Sequence, residues 1–345
     1  MKKFLANLGV ILLVLVLIGG YLGYDYYQMI FSANVPSNLE NEYVHIPNNS
    51  SFEEVVKLLK DGGYINNTRS FEWVASEMNY VKNPMRAGRY KVQSGWSNRQ
   101  LIGHLRGGQQ SPVNFIIHNK RTIEQVAGVC GNLLEGDSLD YLQALTDPQF
   151  LKENGYTKQT IISAIIPNTY HLYWNLSPEG FRKRMLKEHN NFWTDARKAK
   201  AKKWNLTPMQ IYTLASIVES ETQANQEKSK IAGVYLNRLQ KGMLLQADPT
   251  VKFAVGDFGL RRILNVHLAV ESPYNTYKYA GLPPGPIYMP SVTTLDKTLN
   301  AENHDYLYFC AKPDNSGLHA FAKTLQGHNA NAARFHRWLN QRNIR

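Results

Sequence analysis

The chain opens on an apolar run. From Phe4 to Tyr24 it is almost unbroken Leu, Val, Ile and Gly with no charge, and Lys2 and Lys3 precede it. At about 1.5 Å rise per residue, about 20 such residues cross a hydrocarbon core, so the pattern predicts a membrane-spanning helix. A cleavable signal peptide would carry an apolar core of only about 7–15 residues with a small-residue cleavage site behind it. Here the run is longer and ends in Tyr21, Tyr24, Tyr26 and Tyr27, rings of the type that settle at the membrane interface. The expectation is an uncleaved anchor over residues 1–27, with the short N-terminus cytoplasmic and everything after about Tyr27 outside. Residues 28–42 have little periodicity and read as a short tether.

From Tyr43 the pattern becomes regular. YVHIP is a short strand, and Ser51 caps a helix carrying Val55, Val56, Leu58 and Leu59 that stops at Gly62-Gly63. A second helix follows from about Thr68, AGRYKV is strand-like, and Ser97 with Gln100 makes a capping box for a helix that ends at Gly107-Gly108. Strand, helix, helix, strand over about 50 residues is a small βααβ module, here residues 43–108, of a size suited to binding or positioning. A strand VNFIIH and a helix from Thr122 open a connecting segment, residues 109–204. No group of His, Cys or carboxylates in residues 43–160 suggests chemistry.

The texture changes after about Ala201. Thr207-Pro208-Met209-Gln210 is a capping box with proline at the first helical position, where its missing N–H is not needed. That helix runs to about Glu221, and another spans roughly Gln226 to Lys241, closed by Gly242. Leu245 to Pro290 is rich in Pro, Gly, Tyr and Asn, a length that is functional or disordered, and its tyrosines oppose disorder. The fold class expected is α+β, with a C-terminal α+β domain over residues 205–345.

At 100° per residue, Ile211, Leu214, Ala215 and Val218 form one apolar face of the first of these helices, and Thr213, Ser216 and Ser220 a narrow polar stripe. Glu219 stands at the edge of the apolar face, where partial desolvation raises a carboxyl pKa toward what a general acid needs. Helix position alone also allows a structural acid paired with a base such as Arg238. Glu221, about 200° round, is expected to fix a helix end rather than share a site with Glu219. A lone raised Glu beside an aromatic, Asn-rich stretch suits glycoside chemistry. A hydrolase needs a second carboxylate, for which Asp248 is the candidate, although Asp before Pro is also a common turn residue.

Charge and cysteine content narrow the field little. The net charge of +12 is spread along the chain, which reads as a solvated basic surface attracted to anionic lipid or acidic wall polymer. Nucleic acid is not expected, since no zinc-finger or RNP-type motif is present. Cys130 and Cys310 lack metal-ligand spacing and read as buried free thiols. His319, His328 and His336 lack the spacing of a helical zinc pair, and no Walker, Rossmann or G-x-S-x-G signature occurs, so neither metal nor cofactor is expected.

The runs LASIVESET, IAGVYLNRL, GMLLQADPTV, SPYNTY, GLPPGPI, YLYF and HAFAKTLQGHN, in that order over about residues 205–330, resemble the YceG-like, MltG-type endolytic murein transglycosylases. AGRYKV with its following helix is similar to the small LysM-like module of that family. The resemblance implies a bitopic inner-membrane enzyme that cleaves the β-1,4 bond between N-acetylmuramic acid and N-acetylglucosamine within peptidoglycan strands. It implies Glu219 as catalytic acid and then base, with the C6 hydroxyl of muramic acid as nucleophile, so that a 1,6-anhydro end forms and no water is consumed. It further implies that Glu221, Gln246, Asp248, Thr250, Asn275, Thr276 and Tyr277 bind substrate, with Pro283, Pro284 and Gly285 shaping the cleft wall. The short tether suggests work on nascent glycan beside the peptidoglycan synthases. The chain departs from the usual family sequence at SAIIPNTY, with Asn168 where Asp is usual, and at NKRT (Asn119–Thr122), where EGxT is usual. A hydrolytic muramidase and a non-catalytic wall-binding scaffold are the rival expectations.

Overall fold

The computed structural model describes residues 2–260 and 262–342, and the chain divides into two compact units. The first is built mainly from residues up to Asn114, the second mainly from those after it.

In the first unit, helix α1 (Lys2–Phe31) is 30 residues long. Among the described residues it is the one helix long and apolar enough to cross a membrane, with a mean hydropathy of 2.4 over its best window. Its side chains at Phe4 and Leu5 and from Asn7 to Leu22 face outward rather than into a core. Strand β1 (Tyr43–Ile46), helices α2 (Phe52–Asp61) and α3 (Thr68–Glu77), and strand β2 (Gly88–Lys91) follow in the expected order, and helix α4 (Asn98–Gly107) is attached behind them. β1 and β2 are antiparallel, with Val44 opposite Tyr90 and Ile46 opposite Gly88. Alternate residues Val44, Ile46 and Tyr90 therefore point inward, onto Val55, Leu59, Phe71, Val74, Leu101 and Leu105, all at most 1% exposed. The expected capping box of Ser97 with Gln100 forms, and the Ser51 cap is completed into a second one by Glu54.

The segment read as a tether is more tightly held than its lack of periodicity predicts. α1 continues to Phe31, Met29 and Ile30 pack on the core of this unit, and Val35 is buried in it. Asn34 is 4% exposed and fully engaged. Its side chain donates to Asn98 Oδ1 (2.7 Å) and to the Asn67 carbonyl (3.0 Å), and accepts from Asn67 N (2.7 Å). Asn98 in turn donates to the Met29 carbonyl (2.9 Å), tying the end of α1 to the starts of α3 and α4. A buried polar hub of this kind has no period, so sequence patterning passes over it.

The chain enters the second unit along strand β3 (Val113–Ile117), which pairs with β4 (Asn168–Leu172). Between them lie α5 (Ile123–Leu133), α6 (Ser138–Thr146) and α7 (Pro148–Glu153). After β4 come α8 (Pro178–Phe192), α9 (Asp195–Lys203), α10 (Pro208–Glu221), α11 (Lys228–Gln240), α12 (Asp248–Val255), the single turn α13 (Asn265–Leu268) and α14 (Val292–Leu299). A hairpin, β5 (Tyr308–Ala311) with β6 (His319–Ala322), and α15 (Leu325–Gln341) complete it. Cys130 and Cys310 are free thiols.

α10 is the centre of this unit. The predicted capping box is present, with Thr207 N donating to Gln210 Oε1 at 2.8 Å and Gln210 N to Thr207 Oγ1 at 3.2 Å. Of the expected polar stripe only Ser220 is exposed, because every residue from Ile211 to Val218 is at most 3% exposed. Thr213 and Ser216 donate back to the Met209 and Thr213 carbonyls, and Ser216 Oγ also accepts from Ile287 N at 3.1 Å. Two residues before Ile287, Gly285 passes close to another segment: a Cβ there would sit 2.3 Å from the Gln159 carbonyl oxygen. A helix covered on every side fixes whatever projects from its last turn.

Asn34→Ala removes the hub of the first unit and leaves buried donors and acceptors unpaired. It should cost about 1–3 kcal/mol, read as a lowered thermal midpoint of the detergent-solubilised chain. An unchanged midpoint would show that the hub is incidental.

Candidate functional site

Glu219 projects from the last turn of α10 into a cavity of about 660 Å³. Its carboxylate is held on both oxygens. Oε1 accepts from Lys228 Nζ at 3.0 Å. Oε2 accepts from Ser291 N (3.0 Å), Ser291 Oγ (2.8 Å) and Thr294 Oγ1. Lys228 Nζ also donates to Thr294 Oγ1 at 2.8 Å, which closes the cradle. Ser291 is the N-cap of α14, so the carboxylate faces a helix start, where peptide dipoles favour negative charge.

These donors reverse the expected direction of the Glu219 pKa. Partial burial pushes it up, as the helix position suggested, but hydrogen bonds from Thr294, Lys228 and Ser291 together outweigh that and hold it below the ordinary carboxylate value. Nor is Arg238 its partner. That guanidinium is committed to backbone carbonyls, with Nε donating to Leu307 O at 2.6 Å and Nη1 to Leu245 O at 2.7 Å. Nothing in local periodicity marks Lys228, Ser291 or Thr294. Lys228 lies only nine positions beyond Glu219, across the turn between α10 and α11, and was the one legible in principle.

Glu221 stands differently from expectation. It lines the same cavity as Glu219, because α10 ends there and both side chains leave its final turn toward the opening. Burial dominates its environment and raises its pKa to about 7, while the Tyr235 hydroxyl, donating to Oε1 at 2.6 Å, pulls the other way. Two carboxyl groups two positions apart are therefore poised oppositely, one ionised and one carrying a proton near neutrality.

Asp248 also reaches this cavity. The Asp-Pro pair proves to be a helix start rather than an isolated turn, with Asp248 the first residue of α12, and its Oδ1 accepts from the Tyr277 hydroxyl at 2.6 Å. Gln246 is exposed in a left-handed conformation (φ 48°). Three of the expected substrate-binding residues are instead buried in the wall: Thr250 and Asn275 at 0% and Thr276 at 1% exposure. Thr250 and Thr276 join hydroxyls at 2.8 Å, Thr276 Oγ1 accepts from Ala247 N at 3.0 Å, and Asn275 Nδ2 donates to the Leu268 and Val270 carbonyls, each at 2.9 Å. With these groups consumed internally, the three hold Gln246 and Asp248 in place rather than touch a ligand.

The opposite wall carries Asn119, Arg121, Phe258 and Tyr288. The Arg121 guanidinium lies 4.5 Å from the Phe258 ring centroid and 5.1 Å from that of Tyr288. The NKRT segment thus contributes directly to the cavity, whereas Asn168 is an exposed residue at the start of β4. His319 pairs with Glu227 at 2.9 Å, and no group of residues able to hold a metal ion is present among the described residues.

A model of the YceG-like family matches residues 44–334. A Bacillus subtilis (strain 168) protein named endolytic murein transglycosylase is 29% identical over 306 residues, or 83% of this chain and 82% of the relative. A protein of the same name from Streptococcus pneumoniae (strain ATCC BAA-255 / R6) is 27% identical over 94% of this chain, which spans 63% of that longer relative. The crystal structure of a yceG-like protein from Listeria monocytogenes is similar with a TM-score of 0.55 and 29% identity, covering 84% of this chain and 97% of that one.

Removing the ammonium in Lys228→Met should raise the Glu219 pKa, whereas Lys228→Arg should keep it low. Carboxylate infrared titration of each variant against its Glu219→Gln double mutant reads the difference, and coincident curves for Met and wild type would refute the cradle. For Glu221, whose folded pKa lies above the ordinary value of 4.5, the stabilising proton is fully present below about pH 4.5 and lost as pH rises through about 7. Glu221→Gln should therefore lose less thermal stability than wild type between pH 5 and pH 8. Parallel losses would contradict the raised value.

Proposed function

The chain belongs to the YceG-like family, and on that premise we propose that it is an endolytic murein transglycosylase, with Glu219 at the reacting bond. The observation that carries this reading is the Glu219 cradle: an ionised carboxylate, fixed by four donors at the edge of a cavity large enough for sugar residues. In the reaction, the bond between C1 of N-acetylmuramic acid and O4 of N-acetylglucosamine breaks, O4 takes a proton, the C6 hydroxyl attacks C1 and its proton leaves. Atoms balance without water, and the product is a 1,6-anhydro end.

A carboxylate is the right form to receive the C6 proton and to face the positive charge that develops at C1. The proton for O4 has two sources in this geometry. Sugar filling the cavity removes water from Glu219 and strengthens the desolvation that raises its pKa, so one residue serves as acid and then base. Alternatively Glu221, which keeps a proton near pH 7 on the wall of the same cavity, delivers it. The first route uses a single group twice; the second divides the labour.

We read the βααβ unit as LysM-like, a holder of glycan, and α1 as a single-pass anchor of the cytoplasmic membrane with its N-terminus inside. With α1 tied to the first unit through Asn34 and Asn98, the enzyme works on strands close to the membrane, which suits nascent glycan beside the synthases. A muramidase would instead use Asp248 or Glu221 to activate water.

Full-length protein in detergent, given uncrosslinked glycan strands, should produce anhydro ends detectable by mass spectrometry. Glu219→Gln should slow this by about 10²–10⁴-fold, the usual worth of a positioned acid or base. If Glu221→Gln slows it equally, the proton comes from Glu221; if it keeps more than about a tenth of the rate, Glu219 does both steps. Undiminished cleavage by Glu219→Gln would overturn the assignment.

A further inference from the structure

His319 and Glu227 form a pair that lies outside the cavity at Glu219. Strand β6, which carries His319, has a neighbour on one side only, β5, with His319 opposite Ala311. The His319 backbone N–H is directed off the free edge of this hairpin and needs an acceptor there. Glu227 supplies it. Its two carboxylate oxygens accept from His319 N at 2.9 and 3.2 Å, and Oε2 also meets His319 Nδ1 at 2.9 Å. A carboxylate offers only acceptors, so Nδ1 is assigned the ring proton. Both side chains are largely buried.

Glu227 is the residue at which α11 begins, yet its side chain caps none of that helix's own N–H groups. A helix start is ordinarily secured by a local side chain that accepts from the first turn. Here the carboxylate turns away from its helix and the hairpin holds it instead. The next residue is Lys228, whose ammonium donates to Glu219 at 3.0 Å and to Thr294 at 2.8 Å. Where that ammonium lands depends on where the first turn of α11 starts. The hairpin is braced against α11 at a second point, where the Phe309 ring meets the Tyr235 ring edge-on at 5.9 Å and the His319 ring at 5.4 Å. The same first turn is tied by Ser229, whose carbonyl accepts from Glu302 N at 3.1 Å and whose hydroxyl donates to Glu302 Oε1 at 2.9 Å.

Resting on the transglycosylase reading, we propose that His319 is a positioning residue for Glu219, acting through Glu227 to fix the first turn of α11 and with it the Lys228 ammonium. The C-terminal hairpin thereby supports the reacting carboxylate although the pair does not line the cavity. Misplacing such a group by about 1 Å can cost up to about 10²-fold in rate.

The test compares full-length wild type, His319→Ala, Lys228→Met and the double variant in detergent. His319→Ala should lower kcat on uncrosslinked strands about tenfold while KM changes by less than about twofold. The double variant should be no slower than Lys228→Met alone, since both changes act on one ammonium. His319→Asn, whose amide donates from near the position of Nδ1, should recover most of the rate. Carboxylate infrared titration should show Glu219 moving upward in His319→Ala, the direction expected of Lys228→Met. Full activity of His319→Ala, or an equal slowing by it with and without Lys228, overturns the proposal, because a merely structural loss adds to the removal of the lysine. Should His319→Ala not fold, Glu227→Gln keeps the shape, weakens both bonds and should slow cleavage about threefold under the same rule. If the wild-type chain cuts no strand yet the Glu219 titration moves as stated, the enzyme reading fails and the positioning of the carboxylate stands.

Discussion

The second unit is organised around one buried ion pair. Glu219 and Lys228 have side chains only 12% and 4% exposed, 3.0 Å apart. Charges so far from water are tolerated only when paired and hydrogen-bonded, and removing one partner of such a pair typically costs about 3–5 kcal/mol. Satisfying this pair requires three elements at once: α10 to carry the acid, α11 to bring the lysine from its first turn, and the start of α14 to supply Ser291 and Thr294. The complete burial of Ile211–Val218 keeps α10 from shifting under that load. Under the proposed reaction, the Glu219 carboxylate is thus held ready at no reorganisation cost.

The opposed states of Glu219 and Glu221 follow from the same arrangement. Both leave the end of one helix, yet one meets four donors and the other meets a tyrosine hydroxyl and low-dielectric surroundings. Hydrogen bonds to the charged form win at Glu219, and desolvation wins at Glu221. Asp248, held by the Tyr277 hydroxyl, then places a third polar group on the wall of the same cavity.

What the sequence showed and what it hid divide along physical lines. Local signals are legible: the long apolar first helix, the capping boxes at Ser97 and Thr207, the βααβ order, and Glu219 on a helix edge. Signals that depend on distant chain were not. Thr213 and Ser216 look like a solvent stripe until Ile287 is brought across them, and Thr250, Asn275 and Thr276 look like ligand contacts until their hydrogen bonds are traced to one another. Helix position points the Glu219 pKa upward because only desolvation is visible locally, whereas Ser291 and Thr294, which help lower it, are more than 70 positions away. Asn34 was hidden for the same reason, being a hub whose partners lie 33 and 64 positions on.

The central claim is that the sugar, not water, attacks at the bond beside Glu219. Cleavage of uncrosslinked strands in water enriched in oxygen-18, followed by mass spectrometry of the new muramic acid ends, tests it directly. Attack by the C6 hydroxyl gives anhydro ends that carry no label. Reducing ends bearing one oxygen-18 atom would show that water is the nucleophile and would contradict it.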